Sequence, residues 1–409
     1  MGYTRAAVKG VSWITVLRVT TRALSFIKTI VLARVLLPSQ FGAYGVALLV
    51  LGFLEVMTET GVNVILIQEK ETDRYINSAW IVSIIRGIII SLVIIIMAPF
   101  IASFFHSPDS IKLLYVIGIV PFLRGFINPS VIKFQKELRF QQEFIYRFTI
   151  FFLDASIAII ATLILRDPLG IIIGFIAGVI AEIVLSYIMV KPTPILNINK
   201  EYFMKIIHRG KWVTGSGIFN YLFHNADNII VGRLLGTTSL GIYQMGYSFS
   251  MLPITEIADV FARVTFPVYV KISEDKKRLQ AAFIKTTLVI ALLAIFIGSI
   301  LILFPKEIVL FVLGDKWMPV IPILPILAVF GVIRAISGSS SALFLAVGKQ
   351  EYLTIITFIS ILGLIIPIFP LVLHFGILGA AYSALIGSVV AVPFYYYYSL
   401  KIFTKNERH

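Results

Sequence analysis

Cations recur with helical spacing in an otherwise apolar stretch near the start of the chain. At 100° per residue, Arg18, Thr21, Arg22, Ser25, Lys28 and Thr29 fall on one stripe about 120° wide, while Arg34 points away near the far end. An ionised side chain at the centre of a membrane helix costs about 2.5 to 3.5 kcal/mol on insertion scales, so such residues face a bundle interior or a water-filled cavity. Arg18, Arg22 and Lys28 on one face suit a phosphate or pyrophosphate ligand, which arginine grips in bidentate fashion and lysine attracts as a point charge. A second stripe, Ser216, Asn220, His224, Asp227 and Asn228, has the same spacing in the second half of the chain. Both stripes are candidate substrate-binding faces.

Further charges interrupt the apolar stretches. Glu55 and Glu59, at i and i+4, could pair with Arg18 and Arg22, which is the alternative to a ligand-binding stripe, or contribute to a coupling-ion site. Glu256, Asp259 and Arg263, at i, i+3 and i+7, read as an intrahelical ion cluster, with a coupling-ion site for a proton or sodium as the alternative. Arg124 and Arg334 are candidates for holding the same anion or for neutralising Asp154 and Glu182. Those two acids stand alone on their stretches, and a packing partner such as Arg86 or Arg124 is expected for them rather than a proton relay. His224 titrates near neutrality when unperturbed, but a hydrogen-bonded polar role suffices for it. His106, His208, His374 and His409 are too scattered to suggest a metal. No resident cofactor is expected.

The elements that carry these residues follow from composition. Hydrophobic residues make up 58% of the chain and charged residues 14%, with mean hydropathy +0.95, far more apolar surface than the core of a soluble domain can hide. Lipid must be the solvent. A span needs about 20 apolar residues, and twelve stretches qualify, near 11–35, 42–66, 79–103, 112–132, 145–165, 169–190, 213–235, 240–268, 286–304, 318–346, 353–373 and 377–400. They must be helical, since a lipid-exposed backbone has to satisfy its own hydrogen bonds and runs of this length exclude a barrel. The net charge of +14 would point to nucleic acid in a soluble protein. Here the basic residues gather in alternate connections, at 133–147, 191–211 and 271–285, whereas the opposite loops hold only Lys112, Arg166, Lys306 and Lys316. The charge therefore records topology, with both termini cytoplasmic. Trp13, Trp80, Trp212 and Trp317 all fall at expected span ends, as interfacial aromatics do. The first span is long and charged, so it is expected to be retained rather than cleaved as a signal peptide. The chain has no cysteine and no G-x-x-x-x-G-K-[ST] motif, which excludes a disulfide framework, thiolate metal sites and P-loop ATP hydrolysis.

The sequence is also duplicated. Trp13, Arg34, Gly42 and Tyr44 recur as Trp212, Arg233, Gly241 and Tyr243 at one offset of 199 residues, and Leu123-Arg124-Gly125-Phe126 reads against Ile333-Arg334-Ala335-Ile336. The offset carries Lys28 onto Asp227. Residues 1–195 and 196–409 are thus expected to form two six-helix lobes. An even number of spans makes the repeats parallel, with a substrate cleft between them. Prolines 121, 129, 253, 319, 322, 325, 367 and 370 permit kinks within spans. Gly174-x-x-x-Gly178 reads as close helix packing.

Ala33-Arg34-x-Leu36-x-Pro38-x-x-Phe41-Gly42-x-Tyr44, Lys133-Phe134-Gln135-Lys136-Glu137-Leu138-Arg139-Phe140 and Leu345-Ala346-Val347-Gly348-Lys349, together with Trp13, carry a family resemblance. The chain resembles the polysaccharide transporters of the multidrug/oligosaccharidyl-lipid/polysaccharide exporter superfamily, over essentially its whole length. The resemblance implies a flippase, not an enzyme, that carries undecaprenyl-pyrophosphate-linked sugar units across a bacterial cytoplasmic membrane by alternating access. O-antigen, capsule, exopolysaccharide or teichuronic acid are the products such transport serves, with membrane lipid, a polymerase and glycosyltransferases as partners and no nucleic acid. Many such flippases have fourteen spans, against twelve expected here. Two rivals predict other features. A cation-coupled multidrug exporter of the same superfamily needs an acidic, aromatic cavity, and a membrane glycan polymerase or ligase needs a large outer loop.

Overall fold

The computed structural model describes residues 2–58, 61–69 and 71–404. Glu59 lies outside them, as do the side chains of Trp212, Ser216, Asp259 and Arg263. Among the described residues every regular element is helical. In order they are α1 (Gly2–Val35), α2 (Pro38–Met57), α3 (Val62–Gln68), α4 (Ile76–Phe104), α5 (Ser110–Ile117), α6 (Ile119–Arg124), α7 (Lys133–Lys136), α8 (Phe140–Leu165), α9 (Leu169–Met189), α10 (Lys200–Lys271), α11 (Lys276–Leu303), α12 (Pro305–Ile308), α13 (Leu324–Ala346), α14 (Gln350–Phe375) and α15 (Ile377–Thr404).

Eight of these, α2, α4, α8, α9, α11, α13, α14 and α15, are long and apolar enough to cross a membrane. The pair Ser110–Arg124 and Pro129–Lys136 forms a ninth candidate, bent by 75°. Helices α1 and α10, at 34 and 72 residues, have the length but carry the charged stripes. Large apolar side chains point outward, among them Ile164 at 75%, Leu292 at 69% and Ile366 at 71% exposed. Such a surface is stable only in lipid, and the protein is a multi-pass membrane protein.

The chain divides into two compact units, Met1–Asn225 and Ala226–His409. The division falls within α10 because the beginning of that helix packs on the first unit: Ile206 joins a core with Val62, Leu66 and Tyr75, and the Tyr221 hydroxyl donates to the Leu49 carbonyl at 2.6 Å. The first unit's main core joins α2, α4, α5 and α9 through Ala47, Leu51, Ile94, Leu114 and Ile172. The second unit's core gathers Tyr269, Leu279, Phe344, Ile356 and Ala391.

The 199-residue offset relates two breaks in the backbone. Between α1 and α2 the chain turns at Leu37, which is extended (φ −85°, ψ 155°) ahead of Pro38. The residue 199 positions later is Gly236, where α10 breaks with φ 80° and ψ 179°. A positive φ with extended ψ is open to glycine almost alone, so a proline-led start in one repeat and a glycine break in the other make the same corner.

The expected span at 112–132 is not one continuous helix. Pro121 lacks an amide hydrogen, and the chain passes through Gly118 and Gly125 before bending at Asn128, whose side chain accepts from the Ser130 amide at 2.9 Å. The broken segment lies hard against α4: a Cβ on Gly87 would fall 2.3 Å from the Pro121 carbonyl oxygen. Trp317, expected at the interface, is fully buried, because the short 3₁₀ segment Asp315–Val320 folds it into the second unit.

The glycine spacing in α9 is a packing seam. A Cβ at Gly170 would meet the Thr162 amide nitrogen at 2.4 Å, one at Gly174 the Ala158 Cβ at 2.4 Å and its amide nitrogen at 2.5 Å, and one at Gly178 the Asp154 Cβ at 3.0 Å. Every fourth residue of α9 thus faces every fourth residue of α8, with backbones in contact. Gly174→Ala is expected to lower stability by at least the roughly 1 to 3 kcal/mol typical of overpacking, read as a drop in thermal midpoint of the purified protein, because backbone rather than a flexible side chain must give way.

Candidate functional site

The α1 stripe is split into an open part and a closed part. Arg18, Arg22 and Ser25 are exposed, while the Thr21 and Thr29 hydroxyls donate to the helix's own carbonyls at Leu17 and Ser25, each at 2.8 Å. Lys28 is largely buried and its Nζ reaches both carboxylate oxygens of Asp154 at 2.8 Å. Asp154 was expected to pair with Arg86 or Arg124; its partner is Lys28. The cause is the α8–α9 seam, which fixes Asp154 against Gly178, together with the tilted ring contact of Trp13 with Phe144, centroids 5.2 Å apart, that lays α1 along α8. Lys28, Asp154, Tyr44, Ser25 and Thr29 line a cavity of about 190 Å³.

A second polar site lies within the first unit, among α2, α4, α6, α8 and α9. Glu55, the alternative partner for Arg18 or Arg22, pairs through its carboxylate with Arg124 Nη1 at 2.6 Å, and that guanidinium also lies 5.0 Å from the Phe175 ring centre. Arg86 donates to the Glu55 carbonyl at 2.5 Å and to the Thr58 hydroxyl at 3.1 Å. Arg147 pairs with Glu143 at 2.9 Å, and Gln135 donates to the same carboxylate oxygen at 2.8 Å. Glu182 departs from expectation: neither Arg86 nor Arg124 bonds its carboxylate, which has no hydrogen bond or ion pair among the described residues. It faces a cavity of about 410 Å³ whose wall includes Arg86, Arg124, Arg147, Glu143 and Tyr146. An adjoining cavity of about 250 Å³ shares Arg86 and Arg124 and adds Glu55. The two form one ionic chamber.

The expected stripe on α10 is also divided, Asn220 and His224 falling in the first unit and Asp227 and Asn228 in the second. Asn220 and His224 are exposed, but Asp227 is only 5% exposed. Its Oδ2 accepts from the Tyr243 hydroxyl at 2.9 Å, and its Oδ1 accepts from the Asn228 amide and side chain at 2.8 and 3.1 Å. Helical spacing placed Asp227 on the face of Asn220 and His224, yet the Gly236 break folds the second arm of α10 back so that Tyr243 covers that turn. Lys28 and Tyr44 stand at the register of Asp227 and Tyr243. The same corner therefore holds a cation satisfied by Asp154 in one unit and an acid satisfied by tyrosine and asparagine in the other. Arg334 is exposed, donates to the Tyr247 hydroxyl at 3.1 Å and lies 6.0 Å from the Phe330 ring centre. Glu256 is half-buried on α10. Among the described residues no group of three or more histidines, cysteines or acids could hold a metal ion.

The profile of the family described as "Polysaccharide biosynthesis protein" matches residues 31–322, well over half of the chain. The chain belongs to this family. It is 25% identical to an "Uncharacterized membrane protein in cps region" of Klebsiella pneumoniae, over 96% of this chain and 82% of that one. It is 21% identical to the "Lipopolysaccharide biosynthesis protein WzxC" of Escherichia coli strain K12, over 86% of this chain and 72% of the relative. Its fold is that of the "Lipid II flippase MurJ, inward closed conformation", with a TM-score of 0.77 at 17% identity, covering 95% of this chain and 88% of the other.

In this polysaccharide biosynthesis protein the Lys133–Phe140 motif serves as a brace. Lys136 Nζ caps the end of α3 by donating to the Leu66 and Glu69 carbonyls and the Thr72 hydroxyl. Lys133 pairs with Asp73 at 2.7 Å. From α10, Lys205 donates to the Tyr75 hydroxyl at 2.6 Å and pairs with Glu69 at 3.0 Å. Those bonds, to Tyr75 first and then Glu69, hold the Lys205 ammonium above the ordinary lysine value. Sequence reasoning treated these cations as topological charge and missed the brace; the acidic Glu69, Glu71 and Asp73 just before α4 were the available signal.

Proposed function

We propose that the chain is a carrier that moves a lipid-linked oligosaccharide across the bacterial cytoplasmic membrane for cell-surface polysaccharide synthesis, by alternating access of its two units. The observation that carries this reading is the exposed face of α1, where the charges of Arg18 and Arg22 stand with Ser25 on a helix long enough to span the bilayer. Guanidiniums within a membrane helix favour an anionic cargo, and two forks on one face match a pyrophosphate. Membership in the polysaccharide biosynthesis family and the names of the relatives, one a lipopolysaccharide biosynthesis protein and one a lipid II flippase, support the same class of cargo. A carrier for lipophilic cations would instead present unpaired acids on that face.

In this reading α1, the bent segment and the two arms of α10 complete twelve spans with both termini cytoplasmic. The pyrophosphate docks on Arg18 and Arg22, with Ser25 donating a hydrogen bond. Lys28, tied to Asp154, orients α1 rather than holding cargo. Asn220 and His224 contact the sugars. Arg334, whose guanidinium is held by Tyr247, adds positive charge in the second unit, whereas Arg124 belongs to the ionic chamber. The chain needs no catalytic group for this task.

The test is reconstitution. Proteoliposomes containing the purified chain and an undecaprenyl-pyrophosphate-linked oligosaccharide are expected to expose the glycan to an external lectin faster than protein-free vesicles. Equal rates, with protein confirmed in the membrane, would refute the assignment.

A further inference from the structure

Among the described residues of the ionic chamber, Glu182 is the acid left without a bonded partner. Arg124 is taken by Glu55 on α2, Arg147 by Glu143 on its own helix α8, and Arg86 by the Glu55 carbonyl and the Thr58 hydroxyl. The Glu182 carboxylate on α9 faces the same cavity with no bonded partner among the described residues. The titratable or charged groups around it are Arg124 on α6, Arg147, Glu143 and Tyr146 on α8, Arg86 on α4 and, through the adjoining cavity, Glu55 on α2. The Tyr146 hydroxyl is directed to the Glu182 backbone carbonyl, at 3.4 Å, and not to its side chain.

We propose that Glu182 is a proton-binding site of this carrier, and that its charge decides whether Arg124 is tied to α2 through Glu55 or drawn to α9. A partly buried carboxylate without a bonded partner is relieved in one of two ways: it captures a cation or it takes up a proton. A metal ion is disfavoured among three guanidiniums. The chamber is large enough for water, so a proton reaches the carboxylate from solvent and returns to it. With the proton on, Glu182 is neutral and the Glu55–Arg124 pair stands alone, as the structure has it. With the proton off, Glu182 competes with Glu55 for Arg124, a group already within the same cavity, and the link moves from α2 to α9. Two discrete pairings of one arginine make a two-state element that a proton biases.

Infrared difference spectroscopy of the purified protein between acid and neutral pH tests the site without cargo. A protonated carboxyl band is expected to titrate in the wild type, to vanish in Glu182→Gln and to persist in the exposed control Glu307→Gln. Absence of the band in the wild type, or its survival in Glu182→Gln, would overturn the proposal. The chain has no natural cysteine, so spin labels at Leu48→Cys on α2 and Ile180→Cys on α9 report the exchange alone. Their separation is expected to change with pH and to be locked at its acid value by Glu182→Gln; a separation independent of pH would overturn the arginine exchange. In proteoliposomes, the proton-limited branch of the rate profile, about tenfold per pH unit for a single proton, is expected to flatten in Glu182→Gln. That last arm rests on the carrier reading, so absent transport in the wild type would count against the carrier reading while the infrared result still decides the proton site.

Discussion

Replacing Arg18 and Arg22 together with alanine is expected to abolish glycan export while leaving folded protein at normal abundance. Both side chains are exposed on α1, so their truncation opens no cavity and breaks no core packing. The loss falls on cargo binding. A hydrogen bond to a charged group contributes about 1.5 to 3 kcal/mol, so removing two guanidiniums withdraws at least about 3 kcal/mol, a factor of more than a hundred in affinity. Lysine at both positions keeps the charge but not the fork, and an intermediate rate is expected from it. The check is surface glycan in a host whose own carrier is deleted, with protein level measured in the same membranes. Export equal to wild type in the double alanine variant would remove α1 from the cargo site.

Much of the architecture was legible in the order of residues. The offset that carries Trp13, Arg34, Gly42 and Tyr44 onto their second copies also carries the Leu37 turn onto the Gly236 break. Gly174 and Gly178 announced a close crossing, and the crossing exists, since only glycine allows backbones to touch there. What the chain's order did not disclose is which helices become neighbours. A helical period says that Lys28 shares a face with Arg18 and Arg22, but not that α8 will bring Asp154 to it. It says that Asp227 follows His224 by one turn less a residue, but not that Tyr243 will return after a corner and cover it. Helical spacing offered Glu55 the cations of the adjacent span as one alternative, whereas it meets Arg124, because the broken span after α4 comes back against α2 and α9. Ion-pair partners depend on tertiary contact, and periodicity within one helix is silent about that.

The Lys28–Asp154 pair is where this dependence has its largest structural consequence. Asp154→Ala is expected to destabilise the first unit by about 3 kcal/mol, the lower end for breaking a buried pair, since Lys28 and Asp154 are only 15% and 17% exposed. The penalty comes from the lysine left behind: its ammonium has two oxygens at 2.8 Å in the wild type and would face the aromatic and aliphatic wall of Tyr44, Phe151 and Ile171 without them. Lys28→Met alone should be costly for the mirror reason, an uncompensated carboxylate. The double variant Lys28→Met, Asp154→Leu removes both charges and is expected to recover most of the thermal midpoint, because well-packed apolar replacements of buried pairs are often neutral or stabilising. The cycle separates structure from cargo handling. If the pair only orients α1, the double variant regains export along with stability; if Lys28 itself grips the pyrophosphate, it regains stability and stays silent in export. Independent, additive losses in the two single variants would mean that the pair contributes nothing as a pair.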